Sequence, residues 1–222
     1  MPKETFFRLP RDKQERILEA AHVEFSQHSL KEASVSSLIK LADIPRGSFY
    51  QYFEDMRDLY YYYFEFLRED SFNSFVTLLK AYEGDLFKTL TDYHKMFLET
   101  ILMGENADFY RHFFLNMDDY ATRKVSKHII RDNDESGKCP VGRYHRERYD
   151  VFSLIDSEAL NVSSDKEMNE LLRFALQMFF SSILHAYRKE DIPVEQCMVE
   201  AQAEFSQKIN WLKYGVVKEG RC

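Results

Sequence analysis

The residues best suited to chemistry crowd into one short stretch, RGSFYQYF, residues 46–53. Arginine pairs bidentately with guanine and glutamine with adenine, so Arg46 and Gln51 are the candidates for reading base edges in the major groove of DNA. Gly47 carries no Cβ and allows close approach. Ser48 and Tyr50 add hydroxyls on the same side. Upstream, Ser36 and Ser37 follow Ser34, a candidate N-cap. Hydroxyls and free N–H groups at a helix N-terminus suit phosphate contacts, or capping alone, and the two roles are compatible. Arg57, at the start of the next segment, is a candidate for the DNA backbone.

Two short helices and a tight turn would position these groups. Val35, Leu38, Ile39 and Ala42 fall at i, i+3, i+4 and i+7, one face of a helix. Asp43-Ile44-Pro45 interrupts the pattern. Proline is poor inside a helix and good at its first turn, where its missing N–H costs nothing. A second short helix follows, with Phe49 and Phe53 four apart on its inner face and Arg46, Gly47, Ser48, Tyr50 and Gln51 outward.

In this order and spacing, residues 17–59 resemble the N-terminal domain of the TetR family of bacterial transcriptional regulators. Ile17-Leu18-Glu19-Ala20-Ala21 with Phe25 is similar to the family's first helix, Val35 to Ala42 to its second, and Gly47-Ser48-Phe49-Tyr50-Gln51-Tyr52-Phe53 to its recognition helix. Asp58-Leu59 stands where a fourth helix starts. The resemblance implies phosphate contacts for Tyr50 and Tyr52. The family usually has Gly where Ser29 and Asp43 stand, and Ser or Thr where Pro45 stands. Asp tolerates left-handed turn geometry better than most residues.

The chain has 222 residues, 45% of them hydrophobic, with 19 Phe and 14 Tyr, enough for a substantial core. Five Pro and seven Gly are few, and strand-like alternation is scarce. The reading is all-α: an N-terminal three-helix helix-turn-helix domain over 1–56 and a larger helical domain over 57–222, about nine helices. Net charge is −7, which argues against nonspecific coating of nucleic acid. Residues 1–58 carry nine Lys/Arg against ten Asp/Glu, so DNA contact would rest on a local patch. Cys139, Cys197 and Cys222 fit no CxxC pattern. No apolar stretch of signal-peptide length opens the chain, and none of about 18 residues spans a membrane. A reduced cytoplasmic protein is expected, and the resemblance implies a bacterial one.

Taken in order, residues 1–10 read as an arm in which Arg8 and Arg11 either reach phosphates or are solvated. The first helix is expected from about Asp12, capped by Asp12 with Glu15 three residues on. Glu19 and His22 form a lone ExxH pair. Di-iron bundles use two such pairs, and no other histidine has a Glu three residues before it. Asp55, with Asp58, caps a long helix that opens with the run Leu59–Leu67 (LYYYYFEFL) and is apolar on every face, hence buried on more than one side. Gly84 ends it. Leu86 to Met103 and Phe109 to Met117 read as two more helices. The polar region from Asp118 to Arg148 holds the loop NDESGKCPVG; Cys139, His145, Asp132 and Asp134 in it match no zinc spacing. Tyr149, Phe152 and Ile155 resume a stripe.

A helix from Ser164 to about Glu190, with Glu167 completing its cap, carries Met168, Leu171, Leu172, Ala175, Phe179, Ser182 and Ala186. The last helix, after Pro193, shows Val194, Met198, Ala201, Phe205 and Leu212 at near-heptad spacing. The resemblance implies that these two helices form a four-helix interface with a second copy, which places Leu171, Phe174, Met178, Met198, Ala201 and Phe205 there.

The function these residues predict is a ligand-responsive, sequence-specific DNA-binding regulator, by resemblance a repressor, acting as a homodimer on a palindromic operator. No catalytic motif, metal site or cofactor is expected. An apolar or aromatic effector suits an interior rich in Phe, Tyr and Met. Its expected walls are among Tyr63, Phe66, Tyr93, Phe97, Phe113, Phe152 and Phe179; packing as plain core is the alternative for each. The competing readings are a helical adaptor that does not bind DNA and, furthest off, a ferritin-like metal enzyme.

Overall fold

The computed structural model describes residues 2–118, 150–189 and 191–216. Among them there are ten α-helices, one 3-10 turn and no strand, in keeping with the all-α expectation. The helices are α1 (Glu4–Phe7), α2 (Arg11–Gln27), α3 (Val35–Leu41), α4 (Arg46–Tyr52), α5 (Met56–Ala81), α6 (Leu86–Met103), α7 (Ala107–Leu115), α8 (Val151–Leu154), α9 (Asp165–Arg188) and α10 (Val194–Tyr214). The chain folds as two compact units. The first holds residues up to Phe72 together with Glu105–Asn116, so it takes in α7 and most of α5 and is larger than the three-helix domain read from the sequence. The second holds Asn73–Gly104 and the described residues from 150 onward.

Aromatic packing builds the first unit. Ile17, Ala21 and Phe25 of α2 are fully buried, as their spacing requires. Phe25 meets Tyr60 at 4.9 Å and Tyr63 at 6.0 Å between ring centroids, and Phe109 of α7 lies 5.3 Å from Tyr60. Phe64 and Phe113 stack at 4.0 Å with ring planes 2° apart. Every residue from Leu59 to Phe64 is buried, so this end of α5 is enclosed on all sides, as its composition predicts. Burial pushes the phenols of Tyr60 and Tyr63 well above their usual range. His22, the histidine of the lone ExxH pair, is held by neutral partners: its Nδ1 lies 3.0 Å from the Tyr63 hydroxyl and 2.9 Å from Asn106 Oδ1.

Two expectations at the N-terminus are corrected. Pro10, not Asp12, occupies the N-cap of α2, and no side chain caps that helix. Proline's fixed φ presets the entry at Arg11, and Glu15 then pairs with Arg11 across one turn at 2.9 Å instead of closing a capping box. Residues 3–7 are not a loose arm either: α1 buries Phe6 completely. Arg8 pairs with Glu4 at 2.7 Å, both exposed.

In the second unit, α6, α9 and α10 pack together. Asp85 caps α6 by accepting from the Lys88 N–H at 2.9 Å. The turn before it runs through Glu83 at φ 52° and Gly84 at φ 88°. Ser164 caps α9, accepting from the Glu167 N–H, while Glu167 accepts from the Ser163 N–H at 2.6 Å. α9 ends at Arg188, and Glu190 lies outside the described residues. Its inward stripe, Met168, Leu172, Ala175, Phe179, Ser182 and Ala186, is the expected one, except that Leu171 is only half-buried. The stripe of α10 is a correction. Cys197, Ala201, Phe205 and Ile209 face inward, while Val194 is exposed and Met198 and Leu212 are half-buried. In α8, Val151 is buried and Phe152 only half so; Tyr149 and the loop with Cys139, His145, Asp132 and Asp134 lie outside the described residues, as does Cys222.

Candidate nucleic-acid interface

α3 starts where Ser34 caps it, its Oγ accepting from the N–H groups of Ser36 and Ser37 at 3.2 and 3.3 Å. The Ser34 N–H itself donates to the buried Glu24 carboxylate at 2.6 Å, which ties this cap to α2. Leu38 and Ala42 face the core. The turn then passes through Asp43 at φ 50°, the left-handed conformation for which glycine is the unstrained residue. Pro45 sits at the N-cap of α4 without a side-chain bond, so this short helix begins on proline's preset backbone alone.

Phe49 and Phe53 are fully buried, and this fixes which face of α4 turns outward. Arg46, Gly47 and Gln51 are exposed, Tyr50 is 43% exposed and Ser48 half-buried. A Cβ on Gly47 would meet nothing within 4 Å, so no packing inside the chain demands glycine there. The Arg46 guanidinium donates to Ser36 Oγ at 3.3 Å, joining the outer faces of α3 and α4. Ser36 is exposed and Ser37 partly so. Arg57 is exposed, its guanidinium 5.9 Å from the Tyr61 ring centre. Asp58 and Asp55 fix the start of α5 reciprocally: the Asp58 N–H donates to Asp55 Oδ1 at 2.9 Å and the Glu54 N–H to Asp58 Oδ2 at 3.1 Å.

Tyr52 departs from the expected phosphate contact. It is 5% exposed, with its ring 6.5 Å from Phe6 and the Lys13 ammonium 5.7 Å from its centre. One residue past Gln51 on a 3.6-residue turn, it rotates away from the outer face, and α1 covers it. Sequence reasoning also missed Lys3 and Thr5, which hydrogen-bond the end of α4. The available signal was Phe6-Phe7, an apolar pair inside a polar N-terminus.

The expected effector-pocket aromatics do not form one group. Tyr63 and Phe113 belong to the packed core of the first unit, and Phe66 of the same unit is 39% exposed. In the second unit Tyr93 stacks on Phe97 and on Phe179 at 5.7 Å, and Phe97 meets Phe179 tilted at 5.5 Å. A groove of about 690 Å³ runs along α9 past Leu176, Phe180 and Leu184, and none of the expected aromatics lines it. Of the expected interface residues, Phe174 is 57% exposed and Leu171, Met178 and Met198 are half-buried. Ala201 and Phe205 differ: at 3% and 0% exposure they lie in the chain's own core, and Phe205 stacks on His94 of α6 at 4.0 Å.

A helix-turn-helix with a polar outer face on its second helix defines a DNA-reading class of protein. The family profile described as "Bacterial regulatory proteins, tetR family" matches residues 17–64, and that described as "Tetracyclin repressor-like, C-terminal domain" matches residues 85–216. The chain belongs to the TetR family, and it is a DNA-binding transcriptional regulator. No curated protein matches it. A crystal structure of a TetR family transcriptional regulator from Chloroflexus aurantiacus J-10-FL is similar over 97% of this chain and 98% of its own, at 19% identity and a TM-score of 0.45. No helix among the described residues is long and apolar enough to cross a membrane.

Proposed function

We propose that the chain acts in the bacterial cytoplasm as a homodimeric repressor whose grip on a palindromic operator responds to a small apolar or aromatic effector. The observation that carries the reading is the outer face of α4. Arg46 and Gln51 stand free of the core beside Gly47 and Tyr50, while Phe49 and Phe53 anchor the opposite face. Arg46 and Gln51 read base edges; Ser36, Ser37, Ser48, Tyr50 and Arg57 hold phosphates. Residues 1–56 form the DNA-reading part, and 57–222 the part that takes the effector and the second copy. Two recognition helices related by a two-fold axis read successive major grooves on the order of 34 Å apart. Leu171, Phe174, Met178 and Met198 are the residues assigned to the second copy. The effector meets Tyr93, Phe97 and Phe179, and it changes DNA affinity only as far as it prefers one conformation over the other.

The test is selection of bound sequences from a random duplex pool at about 0.15 M salt, since affinity falls steeply with salt. Enrichment of a two-fold symmetric site is the expected result, and Arg46→Ala with Gln51→Ala should abolish it. A folded, dimeric protein that enriches nothing would favour the adaptor reading, for which the near balance of acidic and basic residues over 1–58 speaks.

A further inference from the structure

α4 has seven residues, well short of the roughly 12–15 that an isolated helix needs to be stable in water. Pro45 gives it no side-chain cap. Like any helix it ends with four carbonyls that lack an i+4 partner within it. The Phe49 carbonyl accepts from the Phe53 N–H. The other three are met from the far N-terminus of the chain. Lys3 Nζ donates to the Tyr50 carbonyl at 2.8 Å, the Thr5 hydroxyl donates to that of Gln51, and the Lys3 N–H donates to that of Tyr52 at 2.7 Å. The ammonium also lies where the helix dipole is negative. Beneath these bonds Phe6 is fully buried, its ring 5.1 Å from Phe53 and 5.3 Å from Tyr62.

We propose that the segment Lys3–Phe6 is a clamp that positions the recognition helix, with Lys3 and Thr5 as positioning residues for DNA reading that act through the carbonyls of Tyr50 and Gln51 rather than on DNA phosphates. Gln51 lies in the clamped turn and Arg46 opens the same seven-residue helix, so the order of that turn sets how well both reach base edges. The proposal rests on the DNA-reading role of α4. It goes beyond that role by assigning residues more than forty positions upstream to the same task.

Lys3→Met and Thr5→Val remove the two side-chain donors and keep side-chain bulk, whereas truncating Phe6 would empty the core and confuse folding with positioning. The first measurement needs no DNA: amide hydrogen exchange of the full-length protein. In the double variant the α4 amides should exchange about tenfold faster, the loss of a hydrogen bond or two, while those of α9 and α10 stay unchanged. The second is affinity for the selected operator against salt. Binding should weaken about tenfold with the slope of log affinity against log salt unchanged. A slope lowered by about 0.9 would mean that Lys3 neutralises a phosphate, and it would overturn the proposal. Unchanged exchange in α4, or faster exchange with undiminished operator affinity, would overturn it as well. Failure to select any operator would count against the DNA reading alone, because the exchange result stands without it.

Discussion

The imidazole of His94 stacks on the ring of Phe205 at 4.0 Å between centroids, 15° from parallel, with both ring nitrogens hydrogen-bonded. Its Nδ1 lies 2.7 Å from Gln202 Oε1, and the amide orientation is set because Gln202 Nε2 donates to the Thr91 carbonyl at 3.1 Å. Nδ1 therefore carries the proton in the neutral ring, and Nε2 lies 2.6 Å from the Ser182 hydroxyl, which also reaches the Phe179 carbonyl at 2.8 Å. Burial lowers the His94 pKa to about 4, against the opposing pull of Gln202 and of the Glu204 carboxylate.

That shift makes stability depend on pH. An unfolded histidine takes a proton near 6.5, and the folded one refuses it until about 4. The contribution is complete above about pH 6.5, declines as pH falls towards 4 and is flat below. At about 1.36 kcal/mol per unit it amounts to about 3 kcal/mol. Urea unfolding of the native protein and His94→Gln at pH 7.5, 5 and 4 should show the difference between them shrinking by that order as pH falls. Parallel curves would remove His94 from the account.

Asp43 holds the turn between α3 and α4 at φ 50°. A side chain in that region costs about 1–2 kcal/mol, least for Asp and Asn. Asp43→Gly should leave stability within about 1 kcal/mol of the original, since relief of strain offsets the looser unfolded chain. Asp43→Val should lower it by about 2 kcal/mol. Denaturant midpoints decide it, and a neutral valine would mean that the turn rearranges.

Gly84 has two reasons to be glycine. Its φ is 88°, and a Cβ there would lie 2.5 Å from the Asp156 nitrogen, whose N–H donates to the Gly84 carbonyl at 3.1 Å. Gly84→Ala should cost about 2 kcal/mol or more, strain and overpacking together. A thermal midpoint equal to that of the parent would show that the backbone at Leu154 and Asp156 moves aside freely.

Phe205 and Phe174 should behave oppositely. Phe205→Ala empties the core beside His94 and should cost about 3–5 kcal/mol of stability. Phe174 is mostly exposed, so Phe174→Glu should leave the unfolding midpoint alone and weaken self-association more than about tenfold, the size of an interface hot spot. Sedimentation equilibrium reads the second effect. If Phe174→Glu associates as the parent does, this face of α9 does not meet the second copy.

Several features were legible in the sequence because their cause is local. The caps at Ser34, Asp55 and Ser164 join groups within one helical turn. The outward Arg46, Gly47, Tyr50 and Gln51 follow from Phe49 and Phe53 four residues apart. Even Asp43, standing where the resembling family has Gly, announced a left-handed residue. Tertiary structure decided what these patterns left open. Tyr52 is buried because α1 folds over it, and the carbonyls at the end of α4 find their donors on Lys3 and Thr5, far outside any local window. On α10 the periodicity allowed neighbouring stripes, and the inward one passes through Cys197 and Ile209 rather than Met198 and Leu212. A helical pattern specifies the angle between side chains along one helix; the rotation of that helix about its axis is set by what it packs against, here His94 of α6 receiving the ring of Phe205.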